Sequence, residues 1–388
     1  MKKFFFAGFA LLAISGLIIL LWFFVILRNL PDVSALKRYR PAAASEVLDS
    51  EGKVLTQYYE RKFRIWIPIS ALPDVVIQAV VIAEDDTFFE HRGVNYKATW
   101  DALVHDVKKR RFARGGSTIT QQMIKNVLLS KEKTISRKLR EYVLARKAEE
   151  ILSKRRILEI YLNEVEWGEN IYGIEAASRY YLDKHALELT AGEAALLAGM
   201  LPNPRYYNPF KRLKKAKHRQ GQVLFNIHQA KILTDEEYTA ALEAPIELRQ
   251  EGSGRFDFSA LTDGNGRPCY QHALEQMLVN LFGEHALYNS GLVIQTTLDK
   301  TIQEDLSRWE ESLQDKTAGS RSMVTVVKQG DVIRAIVCAE GKEAEIRSKF
   351  ESPGMPFSGY DVAVVSPDAV SREQIILTPS RARTTSAH

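Results

Sequence analysis

Apolar and polar positions change their spacing along this chain, and each change marks a different kind of structure. From Phe4 to Leu27 no charged residue occurs, with Lys2 and Lys3 just before. As a helix this run would be roughly 36 Å long, enough to cross a bilayer core of about 30 Å. The apolar part of a signal peptide is shorter, roughly 7–15 residues. This run ends in Trp22, Phe23, Phe24 and Val25, with no small-residue cleavage site, so a retained anchor over residues 1–28 is expected. Residues 29–72 read as a linker with short strands, holding Pro31, Pro41 and the turn Asp49-Ser50-Glu51-Gly52. From Pro73 the spacing becomes three and four: Val76, Ile77, Val80 and Val81 form one stripe leading into Glu84-Asp85-Asp86. Thr134 starts a helix predicted to reach about Leu152. Thr190 with Glu193, and Thr234 with Glu237, form capping boxes, and Pro202 and Pro204 stop the helix through Ala194–Met200. Residues 73–248 therefore read as one helical domain. After about residue 250 the pattern becomes α+β. A Gly/Ser/Asp-rich loop spans Gly252–Gly266, and a strand spans Val293–Leu298. Two strands around Lys328-Gln329-Gly330-Asp331 read as a hairpin, and a polar, disordered tail is expected from Thr378.

Composition adds little until it is placed along the chain. The 388 residues, 45% hydrophobic and 26% charged, suit two or three globular domains. The net charge of +5 is uneven, because Lys108–Arg114 and Lys211–Lys217 are strongly basic. Such runs suit phosphates, or they are solvated faces. Cys269 and Cys338 lie in no metal-ligand spacing; they read as free buried thiols or, in an oxidising compartment, as a pair. There is no βαβ alternation, no glycine-rich nucleotide fingerprint and no internal repeat.

Three clusters could carry chemistry. The first is Glu84-Asp85-Asp86-Thr87-Phe88-Phe89-Glu90-His91-Arg92-Gly93. A carboxylate ending an apolar helix stands at a core boundary, where burial and neighbouring acids raise its pKa toward general acid–base use. Taken alone, it also fits a solvated acidic helix end. The second is Arg114-Gly115-Gly116-Ser117-Thr118-Ile119-Thr120-Gln121-Gln122, with Lys125 behind it. Two glycines, a capped helix start and flanking cations describe a phosphate pocket, or simply a turn and cap. The third is Arg137-Lys138-Leu139-Arg140-Glu141, in which Arg137, Lys138 and Glu141 share a helical face while Ile135, Leu139 and Val143 are expected to point to the core. On its own it fits an exposed ion-pair ladder. A fourth segment, Arg155–Asn163 running on to Glu166-Trp167-Gly168, offers Asn163 and Glu166 as supporting groups.

These segments in this order resemble the peptidoglycan glycosyltransferase domain, glycosyltransferase family 51, of class A penicillin-binding proteins and monofunctional transglycosylases. The likeness covers about residues 50–245. It implies a mainly α, lysozyme-like two-lobed domain, with the amino-terminal transmembrane helix before it and a smaller α+β region after it. The implied substrate is lipid II, polymerised into β-1,4-linked glycan with release of undecaprenyl pyrophosphate. Glu84 would act as general base on the acceptor hydroxyl, and Glu141 would assist the leaving group. Asp85, Phe88, His91, Arg114, Ser117, Gln121, Lys125, Lys133, Arg137 and Lys138 would bind substrate. The family often has Arg where Lys133 stands, which weakens a bidentate contact there. No metal site is indicated, although a divalent cation, Mg or Mn, could assist the pyrophosphate. The expected partners are lipid II, the growing glycan strand, the cytoplasmic membrane, and a separate transpeptidase or cell-wall synthesis complex. No nucleic acid is expected. The catalytic domain would face the periplasmic or extracellular side, although Arg28, Lys37, Arg38 and Arg40 after the span leave the charge rule ambiguous. Residues 94–114 would be its mobile, membrane-facing part.

Residues 249–388 depart from the bifunctional pattern. Gly291–Asp305 resembles the linker into a transpeptidase domain, yet no SxxK, SxN or KTG follows Pro202. The region is therefore expected to be a remnant without transpeptidase activity. Two other readings compete for the whole chain. A lysozyme-type hydrolase also uses two carboxylates, but the basic pocket and retained anchor speak against it. A non-catalytic scaffold would not need Glu84 and Glu141.

Overall fold

The structure is a computed structural model. It describes residues 2–28, 30–60, 62–109, 116–130, 132, 134–249, 269–312, 324–329, 332–337, 361–365, 370 and 372–375. The Gly252–Gly266 loop, the Gly330-Asp331 turn, the polar tail, Arg114, Lys133 and Cys338 lie outside the described residues. Chain contacts divide the molecule into two units, residues 1–40 with 67–249, and residues 41–66 with 250–388. The strand segment 41–66, set apart in the sequence as part of a linker, thus joins the region after residue 250.

The first unit is helical. α1, Lys2–Arg28, is the one helix among the described residues long and apolar enough to cross a membrane. Behind it come α2 (Asp74–Glu84), α3 (Tyr96–Lys109), α4 (Ile119–Leu128), α5 (Ile135–Ile151) and α6 (Lys154–Glu164). A short antiparallel pair, β4 (Glu166–Gly168) and β5 (Ile171–Tyr172), precedes α7 (Ile174–Leu182), α8 (Ala191–Met200), α9 (Pro209–Gln229) and α10 (Asp235–Glu243). The predicted stripe on α2 is buried at Val76, Ile77, Val80 and Val81. It packs against α8, which is buried from Gly192 to Met200 and in turn supports α9. α4 packs on α5 and α6. Capping boxes at Thr118, Thr190 and Thr234 start their helices as the sequence predicts, since each threonine accepts the N3 amide while the N3 side chain returns to the cap.

One packing expectation fails. On α5 the buried face is Glu141, Leu144, Ala145 and Ala148, whereas Ile135 is 77% exposed and Leu139 and Val143 are half-buried. The cause is helical phase. Nine residues at about 100° each put Ile135 opposite Leu144. Glu141 consequently lies on the inward face, not on a solvated ladder.

The second unit carries two small sheets. β1 (Ser45–Leu48) pairs antiparallel with β2 (Val54–Tyr58), with a break in register at Val47/Leu48, and parallel with β6 (Val293–Gln295); the two-residue β3 is Phe63–Arg64. The expected hairpin is present: β7 (Val324–Gln329) and β8 (Val332–Val337) pair antiparallel, with Gln329 opposite Val332. β9, Asp361–Val365, extends it on the β7 side and was not legible from the sequence. The helix Cys269–Phe282 contributes Leu274, Met277 and Leu278 to a core shared with Val47, Tyr58, Ile294, Ile333 and Ile336.

Candidate active site

The site forms where α2, α4 and α5 come together. Glu84 is the last residue of α2, at the end of its apolar stripe. It is half-buried, and one oxygen accepts a hydrogen bond from Gln122 Nε2 on α4 at 2.8 Å. Burial raises its pKa above the ordinary glutamate value, and Asp85 adds slightly to this. The Gln122 hydrogen bond and the charges of Arg219 and Lys125 oppose the shift without cancelling it. A carboxyl held this way is a stronger base when ionised than a free one.

Asp85 has a different task. Its carboxylate accepts the Ile119 amide at 3.0 Å and His91 Nε2 at 3.0 Å on each oxygen. It therefore sits at the amino end of α4, where a negative charge complements the helix dipole. His91 is anchored there, and Phe88 is fully buried, with Lys154 Nζ 4.5 Å from its ring centre. Lys154 also donates to the His91 carbonyl and, at 2.8 Å, to Glu149, which accepts Thr120 Oγ1 at 2.6 Å. Asp85, Phe88 and His91 thus brace the loop that follows Glu84. Gly93 closes that loop at φ +82°, and a Cβ there would lie 2.6 Å from the Ala145 carbonyl oxygen on α5. Thr118 ties the loop to α4 by donating to the Gly93 carbonyl at 2.7 Å.

Ser117, Lys138, Arg137 and Glu141 form the second half. Lys138 Nζ donates to Ser117 Oγ at 2.7 Å and to Glu141 Oε2 at 2.8 Å, while Arg137 Nη1 donates to Glu141 Oε1. Glu141 is 2% exposed, so its two oxygens are satisfied by two cations inside the protein surface. A cleft of about 430 Å³ is lined by Glu84, Asp86, Thr87, Asn95, Lys97 and Ser117, among others. Glu84 and the Ser117–Lys138–Glu141 chain therefore meet at one cleft. Lys125, exposed on α4, is within electrostatic reach of both glutamates. Desolvation lowers its pKa and the Glu141 charge opposes that, and its open side limits the effect.

Some expected residues fall elsewhere. Gln121 is buried in the capping box, accepting the Thr118 amide at 3.0 Å. Asn163 clamps Ile67 through its backbone N–H and carbonyl, both at 2.9 Å. The Lys211–Lys217 run is an exposed face of α9, where Arg212 and Lys215 flank the Tyr206 ring. Two residues near Glu84 were missed. Gln122 had a usable signal: once Thr118 and Gln121 form the cap, the next residue is turned about 100° away from it. Arg219 had none, because only the packing of α9 brings its charge to Glu84. A Cβ on Gly199 of α8 would lie 3.1 Å from the Arg219 Cβ, so the small residue permits that approach.

The helices thus place one half-buried carboxyl on the cleft and a second, cation-held carboxyl behind it. Residues 51–228 match the transglycosylase family model. Over those residues the chain carries a transglycosylase domain of the kind found in class A penicillin-binding proteins. Its relatives include penicillin-binding protein 1A of Aquifex aeolicus, 35% identical over 298 residues, or 75% of this chain and 39% of the relative. The Vibrio cholerae protein of the same name is 33% identical over 73% of this chain and 33% of the relative. The Neisseria lactamica protein is 36% identical over 70% of this chain and 33% of the relative. The chain thus spans less than half the length of these relatives. A crystal structure of penicillin-binding protein 1A from Haemophilus influenzae aligns with TM-score 0.38 and 21% identity, over 73% of this chain and 32% of that one.

Proposed function

We propose that this chain is a peptidoglycan glycosyltransferase that polymerises lipid II into β-1,4-linked glycan and releases undecaprenyl pyrophosphate. The observation that carries this reading is the joining of Glu84 and the Ser117–Lys138–Glu141 chain at one cleft. Glu84 takes the proton from the acceptor sugar hydroxyl, and that oxygen attacks the anomeric carbon of the donor with inversion. The C1–O bond to the pyrophosphate breaks as the new bond forms. Arg137, Lys138 and Lys125 offset the charge that develops on the leaving group, the preorganised stabilisation such a step needs. Glu141 holds Arg137 and Lys138 in position.

Among the described residues no preformed metal site occurs: no cluster of three metal-ligating side chains is present, and both Glu141 oxygens already serve cations. The working orientation is with α1 in the cytoplasmic membrane and residues 67–249 outside it, where lipid II is polymerised. The growing strand and a separate transpeptidase are the partners this implies. Within residues 249–388 the absence of SxxK, SxN and KTG supports glycosyl transfer without penicillin-reactive chemistry. Failure of a fluorescent penicillin to label the chain is the expected result.

The decisive experiment incubates the purified chain and its Glu84→Gln variant with lipid II. Polymer from the first and none from the second is expected. Shortening of preformed glycan instead of polymer growth would replace transfer with hydrolysis.

A further inference from the structure

Gln122 touches Glu84, and nothing in the mechanism above uses it. Its amide nitrogen donates to Glu84 Oε2 at 2.8 Å. Its amide oxygen accepts from the hydroxyl of Tyr161, on α6, at 3.4 Å. Tyr161 is fully buried, and among the described residues its hydroxyl makes that one hydrogen bond. A carboxamide has one donor end and one acceptor end. A phenol can donate or accept, but its hydrogen needs an acceptor, and Gln122 Oε1 is the acceptor it meets, so the hydrogen is satisfied when the acceptor end of the amide faces Tyr161. The other end is then forced toward Glu84.

We propose that Gln122 and Tyr161 are positioning residues for the base: Tyr161 fixes the Gln122 amide with its nitrogen facing Glu84, and that amide holds the carboxylate in one orientation and favours its ionised form. The inference rests on the reading of Glu84 as the general base. Its chemistry follows from the neighbours. Burial acts to keep a proton on Glu84, and Asp85 beside it acts in the same direction. Lys125 from α4 and Arg219 from α9 act the other way, as does the Gln122 hydrogen bond. Gln122 is the member of this opposing set that makes direct contact, and the only one that is neutral, so it favours the anion without pairing it. A direct ion pair would leave the base too weak to accept a proton. The Tyr161 hydroxyl is held protonated because burial, then the charges of Glu84 and Asp85, push its pKa well above the ordinary tyrosine value. It therefore donates across the whole working pH range, and the amide does not invert as Glu84 gains or loses its proton.

The test is the pH profile of kcat/KM for lipid II polymerisation by the full chain in detergent micelles. It compares wild type, Gln122→Leu, Tyr161→Phe and Glu84→Gln, each checked for an unaltered melting transition. In the wild type the acidic limb reports ionisation of the base. Gln122→Leu removes the donor and leaves burial less opposed, so the limb should move to higher pH by on the order of one unit. Activity then recovers as the pH is raised above the new limb. Tyr161→Phe keeps the ring and loses only the hydroxyl, so the limb should move the same way by less. A purely structural role for either residue would lower the rate at every pH and leave the limb in place, and that outcome overturns the proposal. A limb that moves for Gln122→Leu but stays for Tyr161→Phe overturns the part assigned to the tyrosine. Polymer formation by Glu84→Gln would instead refute the base assignment itself, a failure distinct from either of these.

Discussion

Glu84 lines the cleft and Glu141 lies behind it, linked through Lys138 to Ser117 on the lining, and the two glutamates keep opposite company. Glu84 closes an apolar helix and meets a single neutral donor, so burial dominates and its proton affinity rises. Glu141 is the more deeply buried of the two, yet each of its oxygens meets a cation, Arg137 on one side and Lys138 on the other. Depth of burial alone therefore does not decide what a carboxylate does. A neutral partner leaves a carboxylate's second oxygen open, whereas two cations occupy both oxygens and are themselves held in place by them. One residue type thus fills two roles because the helices supply different neighbours.

The largest effect should come from removing the base. Glu84→Gln is expected to lower polymer formation by about 10²- to 10⁴-fold, the usual contribution of general acid–base catalysis. Stability should move the other way. A carboxyl with a raised folded-state pKa holds its proton more tightly when folded. Folding stability therefore falls as the pH rises from the ordinary glutamate value of 4.5 through the folded-state pKa, and stays at the lower level above it. Replacing the acid with a neutral amide removes that penalty. The variant should melt at the same temperature or higher at pH 7, and the difference should vanish well below pH 4. A variant that lost activity and also melted lower at pH 7 would point to a structural Glu84.

Glu141→Gln should cost less in rate and more in stability. Arg137 and Lys138 remain as charges but lose the anion between them, so the expected loss is roughly tenfold to a hundredfold in kcat/KM. Unpairing two cations at a part-buried site should destabilise the unit by roughly 1–3 kcal/mol. The figure sits at the low end because Lys138 keeps 38% of its side chain in solvent. Urea unfolding and the lipid II assay together measure both. Equal stability with lost activity would make Glu141 a direct participant and not an organiser of its neighbours.

The helices that carry these residues were legible because local rules specify them. The α2 stripe, the Thr118, Thr190 and Thr234 caps, and the stop at Pro202 are properties of a few adjacent residues. The expected role of Asp85 was coarser than the structure, since its contacts with Ile119, 34 residues away, and with His91 depend on how a loop folds back. The inward placement of Glu141 was missed because an Arg-Lys-Glu face looks solvated until the neighbouring helices are known. Arg219 is legible only in three dimensions, 135 residues after the carboxylate it influences. The pairing of β1 with β6 is hidden for the same reason, because a parallel partner 247 positions away leaves no local trace.

The smallest effect concerns the residue that both glutamates share. Lys125 lies three positions after Gln122 on α4, and its charge acts on Glu84 and Glu141 alike. If it belongs with the cations, it contacts the donor pyrophosphate, and Lys125→Ala should raise KM by about tenfold, the worth of one charge-assisted hydrogen bond. The fall in kcat should be smaller, because Arg137 and Lys138 remain. If instead it belongs with Glu84, its removal should leave KM unchanged and move the acidic limb of the pH profile upward, since its charge opposes the rise in the Glu84 pKa. The side chain is exposed, so neither case should lower the melting temperature appreciably. Initial rates against lipid II concentration at two pH values separate the two cases. A raised KM at both values assigns Lys125 to the leaving-group side of the cleft. A constant KM with a shifted limb assigns it to the base.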